Sequence, residues 1–196
     1  MAEAKELDKR VERSRRLLVS TLLELMAEKP YSKLSVANIC ERSGVARPTF
    51  YLHYRSKDDL LRYHIEQLFL DFAERIDPML AKSANVDPEI YSLMFRLWQE
   101  NADLARLLVQ PDVEAILLAE FKVYVGKTIE RYSEVHKLTF KSAFVEYVID
   151  YLAGASFGLI VRWIRNDFRE TPEQLASLYA ELSRPGLVQT LLSGKL

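Results

Sequence analysis

Hydrophobic positions recur at helical spacing along almost the whole chain. Val11, Leu18, Leu22 and Leu25 follow one face, and Leu17 and Met26 widen the stripe. This predicts a first amphipathic helix ending near Lys29, because Pro30 has no N–H to continue the ladder. Ser35 stands where an N-cap belongs, Val36, Ile39 and Cys40 form the apolar face behind it, and Gly44 supplies the stop. A short helix follows with Pro48 in its first turn, where a missing N–H costs nothing, and it ends near Tyr54. Ser56 caps the next one. Asp58 and Asp59 put acid in its first turn, with Asp59 at the capping-box distance. That helix runs from Asp58 to about Ile76 and is expected to stop at Asp77-Pro78.

Further helices are expected near 88–101, 103–109, 112–134, 139–166 and 172–183. Pro88, Pro111 and Pro172 mark starts, while Asn85 to Asp87 and Arg184-Pro185-Gly186 act as punctuation. No strand-like alternation bounded by turn signals occurs, and no internal repeat. The expected fold is all-α: an N-terminal three-helix unit over residues 1–57, then a larger helical unit over 58–196. The boundary lies inside or just after the helix opening at Asp58.

Composition adds three constraints. Of the 196 residues 49% are hydrophobic, enough for a substantial core and against disorder beyond the first few residues. The single Cys40 excludes an internal disulfide framework and suits a reducing cytoplasm. The start, MAEAKELDKRVERSRR, has no apolar core and is not a signal peptide. No apolar run approaches the ~20 residues of a spanning helix; the longest, around 152–161, is broken by Gly154, Ser156 and Gly158. The expectation is a soluble cytoplasmic protein.

Charge changes the picture more. The net charge of −1 hides an uneven distribution. Residues 1–57 hold 12 Lys and Arg against 7 Asp and Glu, and the remainder 15 against 21. A basic head on an acidic body is a footprint of nucleic-acid binding by one end, although a short charge excess can also be a solvated surface. The helices over 35–43 and 47–54, joined by Gly44-Val45-Ala46, form a helix-turn-helix, whose second helix enters the major groove in this architecture. Phe50 and Tyr54 are i, i+4 partners and should pack with Val45 on Ile39 and the first helix. The opposite face carries Arg47 and Tyr51, with Pro48 and Leu52 beside them. Arg reads guanine or phosphate, Tyr bonds phosphate, and Leu contacts a thymine methyl.

The run SVANICERSGVARPTFYLHYRSKDDLL resembles the DNA-binding signature of the TetR/AcrR family of bacterial transcriptional regulators. The likeness covers residues 11–61: the amphipathic first helix, the Ile-x4-Gly-Val spacing, Phe-Tyr-x-His-Tyr, and Ser-Lys-x-x-Leu at the next helix. The segment YLAGASFGLIVRWIRNDFRETPEQLA is similar to the C-terminal region of a Firmicutes subgroup that includes a dihydroxyacetone kinase activator. The resemblance implies DNA contact by Ser35, Tyr51, His53 and Lys57 on phosphate, and by Ala46, Arg47, Pro48 and Thr49 at base edges and groove floor. Pro48 stands where Gly is common and Leu52 where a second Tyr is common, so base preference should differ from the family pattern. Plainer readings stand beside these. Tyr51 could cover a helix edge, His53 could be a surface histidine, and Lys57 a solvated charge. Lys5, Lys9, Arg10 and Arg13 read either as a flexible arm for DNA or as a charged helix start, and Cys40 as core.

In the helix over 139–166, the small residues of Ala153-Gly154-Ala155-Ser156-Phe157-Gly158 would admit a close neighbour. Gly154, Phe157, Gly158, Val161 and Ile164 are candidates for a homodimer interface built with 172–183; tight packing inside one chain is the alternative. Phe69, Phe72, Tyr91, Phe95, Trp98, Phe121 and Tyr124 are candidates for an effector cavity, or ordinary core. The histidines at 53, 64 and 136 are widely separated, and no HExxH, phosphate loop or nucleophile elbow occurs. The chain is expected not to be an enzyme and to need no cofactor or metal. The reading is a regulator, by default a repressor, that binds double-stranded operator DNA as a homodimer and responds to an unknown small molecule. The alternative is a co-regulator acting through a protein partner.

Overall fold

The computed structural model describes residues 2–82, 88–137 and 142–192, with side chains described over 10–82, 88–137 and 145–183. Nine helices follow one another among these residues, with no strand. They are α1 (Ala2–Glu28), α2 (Val36–Ser43), α3 (Arg47–His53), α4 (Lys57–Leu80), α5 (Pro88–Glu100), α6 (Ala102–Leu108), α7 (Glu114–His136), α8 (Ser142–Arg165) and α9 (Pro172–Leu192). A single 3-10 turn, Tyr31–Lys33, lies between α1 and α2.

Helix starts and stops follow local chemistry. The Ser35 hydroxyl accepts from Asn38 N–H, and the Asn38 side chain accepts from Ser35 N–H, which closes a capping box on α2. Gly44 ends α2 at φ +70, a left-handed conformation that is cheap only without a Cβ. The Ser56 hydroxyl accepts from Asp59 N–H, but the Asp59 carboxylate reaches past the cap to accept from Arg55 N–H at 2.9 Å. Two expected stops are not stops. α4 continues through Pro78 to Leu80, and α9 through Pro185-Gly186 to Leu192. One proline removes one donor and does not by itself end a helix; at Pro78 the carbonyl deprived of it belongs to Glu74, on the exposed side. Residues 85–87, read as punctuation, lie outside the described residues.

α1 also begins earlier than its apolar stripe. It is helical from Ala2, so the basic segment is a helix and not an arm; the side chains of Lys5 and Lys9 lie outside the described residues. The head forms where α1, α2, α3 and the start of α4 meet around Leu18, Leu22, Ile39, Phe50, Leu60 and Leu61, all fully buried. The body packs α4 against α7 and α5, α7 against α8, and α5 against α9. Phe69 sits at its centre, stacked on Tyr124 at 4.9 Å between ring centroids and edge-on to Phe72 and Trp98. Each such pair adds about 0.5–1.5 kcal/mol beyond the area it buries.

α8 corrects two expectations. Its Val145–Arg165 stretch, at a mean hydropathy of 1.3, is long and apolar enough to cross a membrane, because Gly and Ser do not interrupt a helix as they interrupt a string of large apolar residues. Those apolar residues face the body instead: Phe157, Ile160, Val161, Trp163 and Ile164 are buried within the chain. Phe157, Val161 and Ile164 are therefore core and not available to a second copy. Gly154 and Gly158 lie on the outer side, where an added Cβ would meet nothing within 4 Å, beside exposed Tyr147 and Tyr151.

Phe50→Ala should destabilise the chain by about 3–5 kcal/mol, the usual cost of emptying a fully packed aromatic site. Leu52→Ala, at a side chain 80% exposed, should change stability by less than about 0.5 kcal/mol. Chemical denaturation of both variants checks the contrast.

Candidate nucleic-acid interface

α3 is short, and its two sides differ completely. Phe50 is fully buried and Tyr54, its cap residue, nearly so; their rings pack at 5.8 Å, and Tyr54 continues to Tyr63 of α4 at 5.6 Å. Burial pushes the Tyr54 hydroxyl up to about 12, and its oxygen has no hydrogen-bond partner among the described residues. Ala46, Arg47 and Pro48 are exposed, Tyr51 is 58% exposed and Leu52 80%, while Thr49 and His53 are half-buried. The expected division of this helix into anchors and outward side chains is what the structure has. The Tyr51 ring stands edge-on to Phe50 at 5.4 Å, so its base is held while its hydroxyl end is free.

Arg15 of α1 lies over the Tyr63 ring at 5.4 Å. With desolvation as the larger cause, its charge holds the His53 imidazole below the ordinary histidine range. His53 is thus neutral near pH 7 and presents one ring N–H. It can donate to an anion without carrying a charge.

Ser35 is exposed at the start of α2. Lys57 opens α4, and its ammonium is already engaged: it donates to Tyr31 O at 2.8 Å and Leu34 O at 3.0 Å and lies 4.3 Å from the Tyr31 ring centre. The Tyr31 hydroxyl donates to Asp58 at 2.6 Å. Lys57 is therefore a structural clamp on the 31–34 turn, and its ammonium has a third N–H that neither carbonyl takes. Tyr31 lies outside the sequence reading, and Asp58 enters it only as acid in the first turn of its helix, not as the acceptor of the Tyr31 hydroxyl. The one local signal was Tyr31 following Pro30, at a place read only as a helix end. A further acid, Asp112, lies against the same turn, accepting from Ser32 N–H at 3.1 Å; hydrogen bonds from Ser32 keep its carboxyl below the usual range. It is 80 residues away in sequence, so no spacing could have announced it.

The seven candidate cavity rings do not share one lining. Phe69, Phe72, Trp98, Phe121 and Tyr124 form a continuous buried cluster. Phe95 instead packs on Trp163 at 5.5 Å and half-buried Tyr91 on Tyr179 at 5.1 Å. A groove opens between α4 and α7 over Phe69 and Tyr124, with Lys127 and Arg131 on its rim. Inside the cluster the Trp98 indole N–H is buried without a hydrogen-bond partner among the described residues.

A helix-turn-helix with one exposed face, set on an all-α body, defines a class of DNA-binding regulator. Comparison with known proteins gives the family. Residues 18–63 match the family described as bacterial regulatory proteins, tetR family, and residues 88–184 match a transcriptional regulator C-terminal region. The chain belongs to the TetR family of transcriptional regulators, which bind DNA and are not enzymes. It is similar to the uncharacterized HTH-type transcriptional regulator YxbF of Bacillus subtilis, 37% identical over 83 residues. That stretch is 41% of this chain, and it spans about a fifth (21%) of that relative's length. Three solved structures under 25% identical share the fold. Lin0861 from Listeria innocua does so at a TM-score of 0.71 and 22% identity, over 89% of this chain and 91% of its own. Bacillus subtilis FadR in complex with stearoyl-CoA does so at 0.59 and 19%, over 88% and 98%. The dihydroxyacetone kinase operon activator DhaS does so at 0.50 and 21%, over 86% and 93%.

His53 and His64, both held low first by desolvation, set a pH dependence. The unfolded chain takes up their protons near pH ~6.5, before the folded chain does. Stability should therefore be full above that pH and decline as pH falls below it. Urea midpoints between pH 7.5 and 5 check this, and His64→Gln should flatten the decline.

Proposed function

We propose that this TetR-family regulator represses transcription by gripping an operator as a cytoplasmic homodimer, and that a small molecule in its helical body changes that grip. The head is taken as residues 1–57 and the body as 58–196, with α4 serving both. The exposed face of α3 is the observation that carries the reading. Arg47, Pro48, Tyr51 and Leu52 face outward from a helix whose other side is anchored by Phe50. An 80%-exposed leucine beside an exposed tyrosine and arginine suits the mixed apolar and hydrogen-bonding floor of a major groove. Ser35 and Lys57 flank the face and suit phosphates, with His53 as a neutral donor. Pro48 offers no backbone N–H and Leu52 no hydrogen bond, so part of the reading falls to apolar contact with thymine methyls.

Support for an effector comes from the aromatic cluster of the body. A buried indole N–H without a partner, as at Trp98, costs about 1–3 kcal/mol. An acceptor on a bound molecule would recover that while its apolar part displaced ring contacts with Phe69 and Phe72. Stearoyl-CoA, the molecule bound to the Bacillus subtilis FadR structure, is the first probe to try. For the dimer, the outer side of α8 around Gly154 and Gly158, with Tyr147 and Tyr151, is the surface that suits a second copy.

Duplexes selected from a random pool should bind wild type with an affinity that falls steeply as salt rises, the signature of phosphate neutralisation. The Arg47→Ala/Tyr51→Ala double variant should bind at least about tenfold more weakly while staying folded, its stability lowered by no more than about 0.5–1.5 kcal/mol from the lost Tyr51–Phe50 edge contact. Fluorescence anisotropy at several salt concentrations checks both. No salt-dependent binding by wild type would favour a co-regulator working through a protein partner, and unchanged binding by the double variant would remove the site assignment.

A further inference from the structure

α4 runs from the head into the body and is the obvious covalent link between them. A second link is made of polar groups. The turn between α6 and α7, residues 109–113, reaches back to the segment joining α1 to α2. The Gln110 side-chain amide donates to Met26 O at 3.2 Å, one of the terminal carbonyls that a helix cannot satisfy itself. Asp112 accepts from Ser32 N–H at 3.1 Å. On its other side the turn is held by α8: the Arg165 guanidinium donates to Val109 O at 3.0 Å and to Glu114 at 2.5 Å.

The turn itself is stiff. Gln110 O accepts from Val113 N–H at 2.9 Å and from Glu114 N–H at 3.0 Å, and Val109 and Val113 are buried beneath it. A rigid knuckle is thus gripped by the end of α8 and in turn grips the segment around residues 26–32. The next residues of that segment are the ones clamped by Lys57, through Tyr31 O and Leu34 O, and Ser35 follows directly.

We propose that Gln110 and Asp112, held by Arg165, are positioning residues for DNA binding, which tie the placement of α8 to that of Ser35 and Lys57 by a route separate from α4. The proposal rests on the operator-binding reading above. Among the described residues the hydrogen bonds of Arg165 go to Val109 O and Glu114, so its loss acts first on the knuckle; α6, which α8 also packs against, meets α1 by apolar packing that Arg165→Met leaves in place. A displacement of α8 would then be felt at the phosphate-facing groups of the head.

The test uses the full chain and compares wild type, Asp112→Ala, Arg165→Met, their double variant, and Arg75→Met. The last removes a comparably exposed ion pair between α4 and Glu100 of α5. Hydrogen exchange over residues 29–35 and affinity for a selected duplex are measured for each. Asp112→Ala and Arg165→Met should each speed exchange over 29–35 and weaken DNA binding roughly fivefold or more, the lower range of coupled sites. The double variant should be no worse than the stronger single one, since both cut one path, and Arg75→Met should change neither readout. Exchange in Arg165→Met that rises only at 109–114, or single effects that simply add, would overturn the proposal. If exchange over 29–35 responds as expected but wild type binds no selected duplex, the operator reading fails and takes the DNA role of these residues with it, leaving a mechanical link alone.

Discussion

A helix of seven residues can bury only one side, and the rest of the head follows from which side α3 buries. Phe50 occupies the centre of the head and Tyr54 closes its edge. With those two committed, Arg47, Tyr51 and Leu52 have no direction left except outward. The energy of one packed ring, about 3–5 kcal/mol, is large against the stability of so small a unit. The exposed face is therefore held in place by the core that opposes it, with the Tyr51 ring resting on Phe50 from the outer side.

Lys57 extends the same economy to the flanks. Its ammonium satisfies two carbonyls of the 31–34 turn while standing at the start of α4, on the surface where an anion would dock. On the proposed operator reading, the same group would make the turn's geometry part of the site. The acid brought by Asp112 to the same turn shows how closely the body attends to it. Electrostatics and packing thus meet at one small region, where body and head share hydrogen bonds.

The family resemblance and the local chemistry reached the same head from different directions. Ser35, Gly44, Pro48 and Ser56 are punctuation whose meaning is carried by each residue and its near neighbours, and all four act as their types suggest. Pro78 and Pro185 do not stop their helices, because a proline removes one backbone donor while the neighbouring hydrogen bonds carry the helix on. Phe157, Val161 and Ile164 were misassigned for a different reason. Periodicity shows that α8 has an apolar face but not whether a second copy or the same chain covers it.

The sequence by itself determined the helices, the helix-turn-helix, and which side of α3 is anchored, because these depend on contacts within a few residues or on one repeated stripe. Tertiary structure alone decided that Phe95 and Tyr91 leave the central ring cluster for Trp163 and Tyr179. It also brought Gln110, Asp112 and Arg165 into one chain of contacts with the 26–34 segment. Such meetings join residues dozens of positions apart through the angles at which whole helices pack. Those angles are a property of the assembled core, not of any stretch that can be read alone.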